Sequence, residues 1–386
     1  MSEWKKVKLG ELYEVHNGLS KGRQFFGSGY PFLTFSNVFN NWFLPKELDS
    51  LVQSSDKERA ACSIKKGDVF VTRTSETMDE LGMSSVALRD YPNATYNGFT
   101  KRLRPITDKV VPEYIGYYLR SPRFRGKFMA FSTMTTRASL ANGDLLSMEV
   151  ELPAKDVQHR IATILSRYDS LIENYQKQIK LLEEAAQRLY KEWFVDLRFP
   201  DYETTKIIDG VPKGWEKMPV DSIYSIKYGK NLSTKLITPT GKYPVYGANG
   251  VIGYYDVANC NEQVVLITSR GNGSGDVLMT YHKEAFVTNN SFIVLPFEDY
   301  DYCQLPFTYQ FLKNANFRAV RTGAAQPQLT NQSIHTVDVV LPTKDIITEY
   351  CKRISPTNTI IINLREQIRL LTEARNRLLP KLMNGK

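Results

Sequence analysis

Few residues of this 386-residue chain could do covalent chemistry, and their spacing argues against it. His16, His159, His282 and His335 lack the short intervals that metal ligation requires, and Cys62, Cys260, Cys303 and Cys351 each stand alone. The glycine-rich runs at residues 26–29 and 271–275 are not followed by a helix start, so they read as loops rather than nucleotide cradles. There is no Gly-x-x-x-x-Gly-Lys-Ser/Thr motif and no Asn/Asp-Pro-Pro-aromatic motif of the kind that holds a flipped adenine. What stands out instead is a pair of hydroxyl-rich, arginine-bearing tips. Thr72, Arg73, Thr74 and Ser75 follow one apolar run, and Thr268, Ser269, Arg270, Gly271 and Asn272 follow another. Recognition through hydrogen bonds is the chemistry these groups suit.

The two tips belong to a sequence that repeats. Apolar residues recur at three and four from Ile161, Ile164, Leu165 and Tyr168 through Leu189, Tyr190 and Trp193, the stripe of an amphipathic helix. A shift of 189 places lays the C-terminal tail over it: Leu152 and Pro153 fall on Leu341 and Pro342, Lys155 and Asp156 on Lys344 and Asp345, Gln178 on Gln367, Arg188 and Leu189 on Arg377 and Leu378. Upstream, Trp4, Lys6, Tyr13 and Gly18 fall on Trp215, Lys217, Tyr224 and Gly229 at a shift of 211, so the second copy is 22 residues shorter between its anchors. Helix 1, if continuous over Asp156–Phe194, spans about 39 residues and about 58 Å. Its stripe needs a partner, which the second copy supplies through Ile354, Ile361, Leu364, Ile368, Leu371 and Leu378. Pro356 lies inside that copy and should kink or break it.

Between the helices, strands are expected at 30–35, 64–73, 84–88 and 99–103, and at 262–270, 277–281 and 291–295. One helix is expected in each globule, over 112–120 and 305–313. The expectation is therefore an α/β (α+β) chain of two mixed globules separated by two long antiparallel helices in a coiled-coil spine, an internal pseudo-twofold repeat. The segments are residues 1–153 (first globule), 154–198 (helix 1), 199–342 (linker and second globule) and 343–386 (helix 2).

The chain carries a net charge of +9 and a pI of about 9.1. The excess is uneven: Lys and Arg outnumber Asp and Glu 21 to 17 over residues 1–153, but number 12 against 13 over 200–342. Bulk charge alone would not hold a polyanion on the second globule, so a nucleic-acid partner would have to be met by specific contacts. No run of about 18 apolar residues suggests a membrane span, the first residues lack the apolar core of a secretory signal, and unpaired cysteines suit a reducing compartment, so the expected location is cytoplasmic.

Taken in order, these motifs resemble the specificity subunit of a type I restriction-modification system. The resemblance rests on Trp4 and its followers, Leu152-Pro153 with Lys155-Asp156, and Ile161, Ile164 and Leu165. It continues through Gln178, Ile179, Leu181, Leu182 and Glu184, the linker from Trp193 to Pro200, Val211-Pro212 with Gly214-Trp215, and Leu378 to Met383. It covers essentially the whole chain. The first copy has Gln158 where that family often shows glutamine; the second has Ile347, and Pro356 is a further departure.

The resemblance implies two target-recognition domains on double-stranded DNA, each reading half of a split, asymmetric site, about one helical turn (roughly 34 Å) apart. It implies two methyltransferase subunits docked on this chain, and restriction (translocase) subunits in the full complex. S-adenosylmethionine, ATP and magnesium would be held by those partners, and this chain would be non-catalytic, with no cofactor or metal of its own. Base-edge readers are then sought among Thr72, Arg73, Thr74, Asn97, Lys101, Arg102, Thr135, Thr136 and Arg137 in the first globule. In the second they are sought among Ser269, Arg270, Asn272, Asn289, Asn290, Arg321, Thr322, Gln326 and Gln328. Lys21, Arg23, Lys230 and Lys235 are expected to meet phosphates. The outer helix faces and the Trp193-Phe194 end are candidates for binding the methyltransferase subunits. Two rival readings remain at this stage: a non-catalytic two-domain scaffold for protein partners, and a fused methyltransferase or nuclease with unrecognised motifs.

Overall fold

The computed structural model describes residues 4–75, 80–131, 138–323 and 326–384. They form two compact units, one of Met1–Glu173 with Arg369–Lys386 and one of Asn174–Ile368.

The first unit runs β1 (Lys5–Lys8), β2 (Tyr13–Asn17), β3 (Phe26–Leu33), α1 (Phe35–Asn40), β4 (Leu51–Val52), α2 (Asp56–Ala61), β5 (Val69–Thr72), β6 (Thr74–Ser75) and β7 (Ser84–Val86). It continues with β8 (Thr95–Tyr96), β9 (Thr100–Pro105), α3 (Pro112–Arg120), α4 (Pro122–Phe131), β10 (Ala138–Ser139), α5 (Asn142–Ser147), β11 (Glu149–Leu152) and the long α6 (Lys155–Tyr190). Its sheets are β2-β9-β5-β7, β4-β3-β8 and the pairs β1-β11 and β6-β10. Where one helix was expected after the strands, α3 is followed at once by α4, because Pro122 cannot continue a helix and restarts one.

The second unit holds β12 (Ile207–Ile208), β13 (Val211–Pro212), β14 (Glu216–Pro219), β15 (Tyr224–Tyr228), β16 (Tyr243–Gly247), β17 (Gly250–Tyr255), β18 (Val265–Thr268) and β19 (Val277–Met279). Then come β20 (Phe286–Val287), β21 (Ser291–Pro296), α7 (Leu305–Asn314), α8 (Asn331–His335), β22 (Asp338–Leu341) and the long α9 (Lys344–Met383). Its sheets β15-β21-β18-β19 and β17-β16-β20 and the pair β14-β22 match β2-β9-β5-β7, β4-β3-β8 and β1-β11 of the first unit strand for strand. Among the described residues, the β6-β10 pair is reduced to the bridge Arg270–Gln328, and the pair β12-β13 belongs to the second unit alone.

The central strands explain why their sequences read as unbroken apolar runs. Val69 and Val71 face the main core of the first unit, among Leu9, Leu103, Tyr114 and Tyr117, while Phe70 between them faces a smaller cluster with Leu33, Val38 and Tyr96. Val265 and Ile267 face the second unit's main core with Tyr224, Phe292 and Phe307, and Leu266 faces Tyr246 and Val287. A strand buried on both faces keeps no polar alternation.

Each unit contains a stretch of both long helices, paired antiparallel. In the first, Ile161 and Leu165 of α6 pack with Leu379 and Met383 of α9, and Asp169 meets Arg375 at 2.5 Å. In the second, Tyr190 meets Tyr350, Ile179 packs with Ile361 and Leu364, and Glu183 meets Arg365 at 2.7 Å. The expected break at Pro356 is absent: α9 is one helix of 40 residues. Burial on both sides of the proline holds it, with Tyr350, Cys351 and Ile354 in the unit's core and Ile361 and Leu364 against Ile179. The hydroxyls of Ser355 and Thr359 donate to the carbonyls four residues back, at 2.6 and 3.0 Å. At its C-terminal end α6 widens into a π turn, Lys191–Val195, where the Asp196 N–H reaches the Lys191 carbonyl. Trp193 is thereby buried against Tyr350 and Phe194, which takes it out of consideration as a partner-binding tip.

Candidate nucleic-acid interface

The ends of β5 and β18 are held by the same backbone bonds. The Thr72 N–H donates to the Met83 carbonyl and the Thr72 carbonyl accepts from Gly82; Thr268 does the same with Asp276 and Gly275. One residue on, the Arg73 N–H donates to Phe99 at 2.8 Å and its carbonyl accepts from Leu140, as Ser269 does with Asn290 and Leu329. The Gly98 N–H reaches Leu19, and the Asn289 N–H reaches Lys230. Ser269, not Arg270, is therefore the counterpart of Arg73, and Phe99 is the counterpart of Asn290. Gly18 and Gly229, matched in sequence, owe their identity to this frame: a Cβ on either would collide with the carbonyl oxygen of Asn97 or of Thr288. Of the 22 residues missing from the second copy, 15 fall between Gly18 and Thr72, where only the first unit has helices α1 and α2.

In the first unit the frame brings Lys21, Arg73 and Asn97 to one cleft of about 280 Å³, shared with Leu19, Phe26, Gly98 and Phe99. The Asn97 Oδ1 accepts from the Phe99 N–H at 2.7 Å, which leaves the amide NH2 as the donor it can offer. Lys21 is already engaged, donating to the Gln53 carbonyl at 2.7 Å and paired with Glu58 at 2.9 Å. The Glu58 carboxyl is held down to about 2 by the Ser55 backbone N–H first and by Lys21 next. Lys21 is thus a braced wall of the cleft rather than a free phosphate contact, and Arg23 stands exposed nearby in sequence.

Three expected readers are structural. The Thr72 hydroxyl is buried, donating to the Glu80 carbonyl at 2.6 Å and accepting from the Met83 N–H. Arg102 is 2% exposed, with its Nη1 donating to the carbonyls of Ser63 and Ala61. Lys101 is 3% exposed and donates to the Asn142 side chain; burial first, and the positive charge of Arg73 second, push its ammonium pKa down. Both basic residues lie on β9, which runs between β2 and β5 and so has no free edge there. Thr74 pairs through its backbone with Ser139. Thr135, Thr136 and Arg137 lie outside the described residues.

In the second unit the Ser269 hydroxyl is buried and donates to the Asn289 carbonyl. Arg270 is exposed and bridges through its backbone to Gln328, which closes a hairpin with Thr322 through reciprocal 2.9 Å bonds. Arg321 donates to the carbonyls of Arg318 and Asn272. Arg270, Asn272, Arg321, Thr322, Gln326 and Gln328 therefore gather on one set of loops, with half-buried Asn289 and Asn290 and exposed Lys230 behind the tip. Lys235 stands exposed on the separate turn Thr234–Leu236.

Phe99, 62% exposed in the first unit's cleft, was missed by sequence reasoning. Its only sequence signal is a bulky residue directly after Asn97-Gly98. The groups gathered in both units are hydrogen-bond donors and acceptors, joined in the first unit by the apolar side chain of Phe99. Among the described residues no His, Cys, Asp and Glu cluster could hold a metal, and no helix is long and apolar enough to cross a membrane.

The sequence matches the family described as type I restriction modification DNA specificity domain over residues 1–184 and 212–370. It is similar to the type I restriction enzyme MjaIX specificity subunit of Methanocaldococcus jannaschii, 24% identical over 99% of this chain and 93% of the relative. It is also similar to the HindI specificity subunit of Haemophilus influenzae, 22% identical over the full length of both. The crystal structure of a type I restriction-modification S subunit from M. genitalium has the same fold, with a TM-score of 0.55 at 17% identity over 98% of this chain and 96% of that one. With two matched segments that coincide with the two copies of the repeat, this chain belongs to the type I restriction-modification DNA specificity family.

Proposed function

We propose that each unit of this specificity subunit reads one half of a bipartite, asymmetric DNA site. The observation that carries the reading is the shared backbone frame, which presents different side chains in the two units: Arg73 and Phe99 in one stand where Ser269 and Asn290 stand in the other. A common scaffold with unlike tips is what two dissimilar half-sites require. In the first unit Arg73 and Asn97 are the base-reading groups, with arginine suited to guanine O6 and N7. In the second, Arg270, Asn272, Asn289, Asn290, Arg321, Thr322, Gln326 and Gln328 supply guanidinium and amide groups, the amides suited to adenine N6 and N7. Arg23, Lys230 and Lys235 add affinity through phosphates and no sequence choice.

As part of a type I restriction-modification complex, the chain works with methyltransferase and restriction subunits on DNA. Two methyltransferase subunits docked along the helices would place one active site near each half-site. S-adenosylmethionine, ATP and magnesium belong to those partners in this reading, and the chain itself contributes recognition and no catalytic group. The test is methylome sequencing of cells with and without this chain, expressed beside its neighbouring methyltransferase subunit. A bipartite motif methylated at adenine on both strands only when the chain is present is the expected result. No motif from an assembled complex would overturn the reading.

A further inference from the structure

Phe99 is the most exposed large apolar side chain among the described residues of its unit. Nothing in the unit's packing calls for it there. Its backbone is fixed by the bonds that define the tip: its carbonyl accepts from the Arg73 N–H, and its own N–H is held by the Asn97 side chain. A phenyl ring on a backbone anchored at both ends has little freedom beyond its own two torsions, so it is preorganised at low entropic cost. It shares one cleft with Arg73 and Asn97, whose guanidinium and amide suit base edges. A ring beside such groups needs an apolar feature on the same surface of the ligand. In the major groove DNA offers one, the C5 methyl of thymine.

We propose that Phe99 is a specificity-determining residue that reads a thymine methyl in the half-site of the first unit, next to the base pair met by Arg73. The assignment rests on the DNA-reading function proposed above. The same backbone position in the second unit carries Asn290, whose amide would meet an adenine edge instead. The position is then a shared slot where the two units choose between apolar and polar readout.

The test uses the assembled complex of this chain with its methyltransferase subunits, after the motif has been mapped by methylome sequencing. Each thymine of the motif is replaced singly by deoxyuridine, which removes the methyl and keeps every hydrogen-bonding group, and binding is measured by competition. The expected result is one deoxyuridine position that weakens wild-type binding roughly fourfold, the factor that burying one methyl corresponds to. In Phe99→Ala that penalty disappears, while Phe99→Leu retains part of it. The assignment is overturned by a motif without thymine, by no sensitive position, by a penalty that persists in Phe99→Ala, or by equal losses for thymine and deoxyuridine duplexes, which would make the ring a stacking wedge. No motif at all would sink the DNA-reading function and this assignment with it; a mapped motif without a Phe99-dependent thymine sinks only the assignment.

Discussion

Arg73 and Arg102 carry the same guanidinium at neighbouring strands and are put to different uses. Arg102 is enclosed, its Nη1 satisfied by the carbonyls of Ser63 and Ala61. Arg73 lines an open cleft beside Asn97 and Phe99. Arg73→Ala should therefore weaken and relax one half-site by about 1–3 kcal/mol while the other half-site is read as before. An equal loss on random duplex would make it a phosphate contact instead. Arg102→Ala should do the reverse, lowering stability in a urea melt by about 1–3 kcal/mol because it removes a buried side chain and its charge-assisted bond to the Ser63 carbonyl, with the methylated motif unchanged. A changed motif at normal stability would return Arg102 to the reading surface. Residue identity alone did not separate these two; the position of β9 inside its sheet did.

At the level of the element, α9 carries Pro356 in its interior without a break, so the missing N–H and the ring's crowding of the Lys352 carbonyl are borne by packing on either side. An interior proline costs a helix about 3 kcal/mol, and replacing it gives back up to about 1 kcal/mol of unfolded-chain entropy. Pro356→Ala is thus expected to stabilise the chain by about 2 kcal/mol, read as a higher urea midpoint at unchanged m-value. A lower midpoint would show that the surrounding core is shaped to the proline. The periodicity of both long helices was legible because a single apolar stripe dictates it, and both begin at the Lys-Asp pair matched by the repeat, Lys155 and Lys344. Their ends were less legible: the π turn at Lys191–Val195 goes with burying Trp193 against Tyr350, a partner distant in sequence.

For the whole molecule, two units with the same strand order and divergent tips predict modular specificity. Exchanging residues 1–153 for the corresponding segment of another family member should replace one half of the methylated motif and leave the other intact, as read by methylome sequencing. A change in both halves would contradict independent reading. By itself the sequence determined the twofold repeat, the long helices, the central apolar strands and the family, because each is written in local periodicity or in motifs that recur at a fixed shift. It also located the two tips. Only the tertiary structure decided which tip residues are free, since burial and hydrogen bonding depend on what the fold brings alongside. It buried Thr72, Lys101, Arg102 and Ser269, engaged Lys21 with Glu58, matched Arg73 with Ser269 rather than Arg270, and left Phe99 exposed in the cleft. Those burials and side-chain pairings are set by contacts between residues from 8 to 41 positions apart, which no local pattern in the chain encodes.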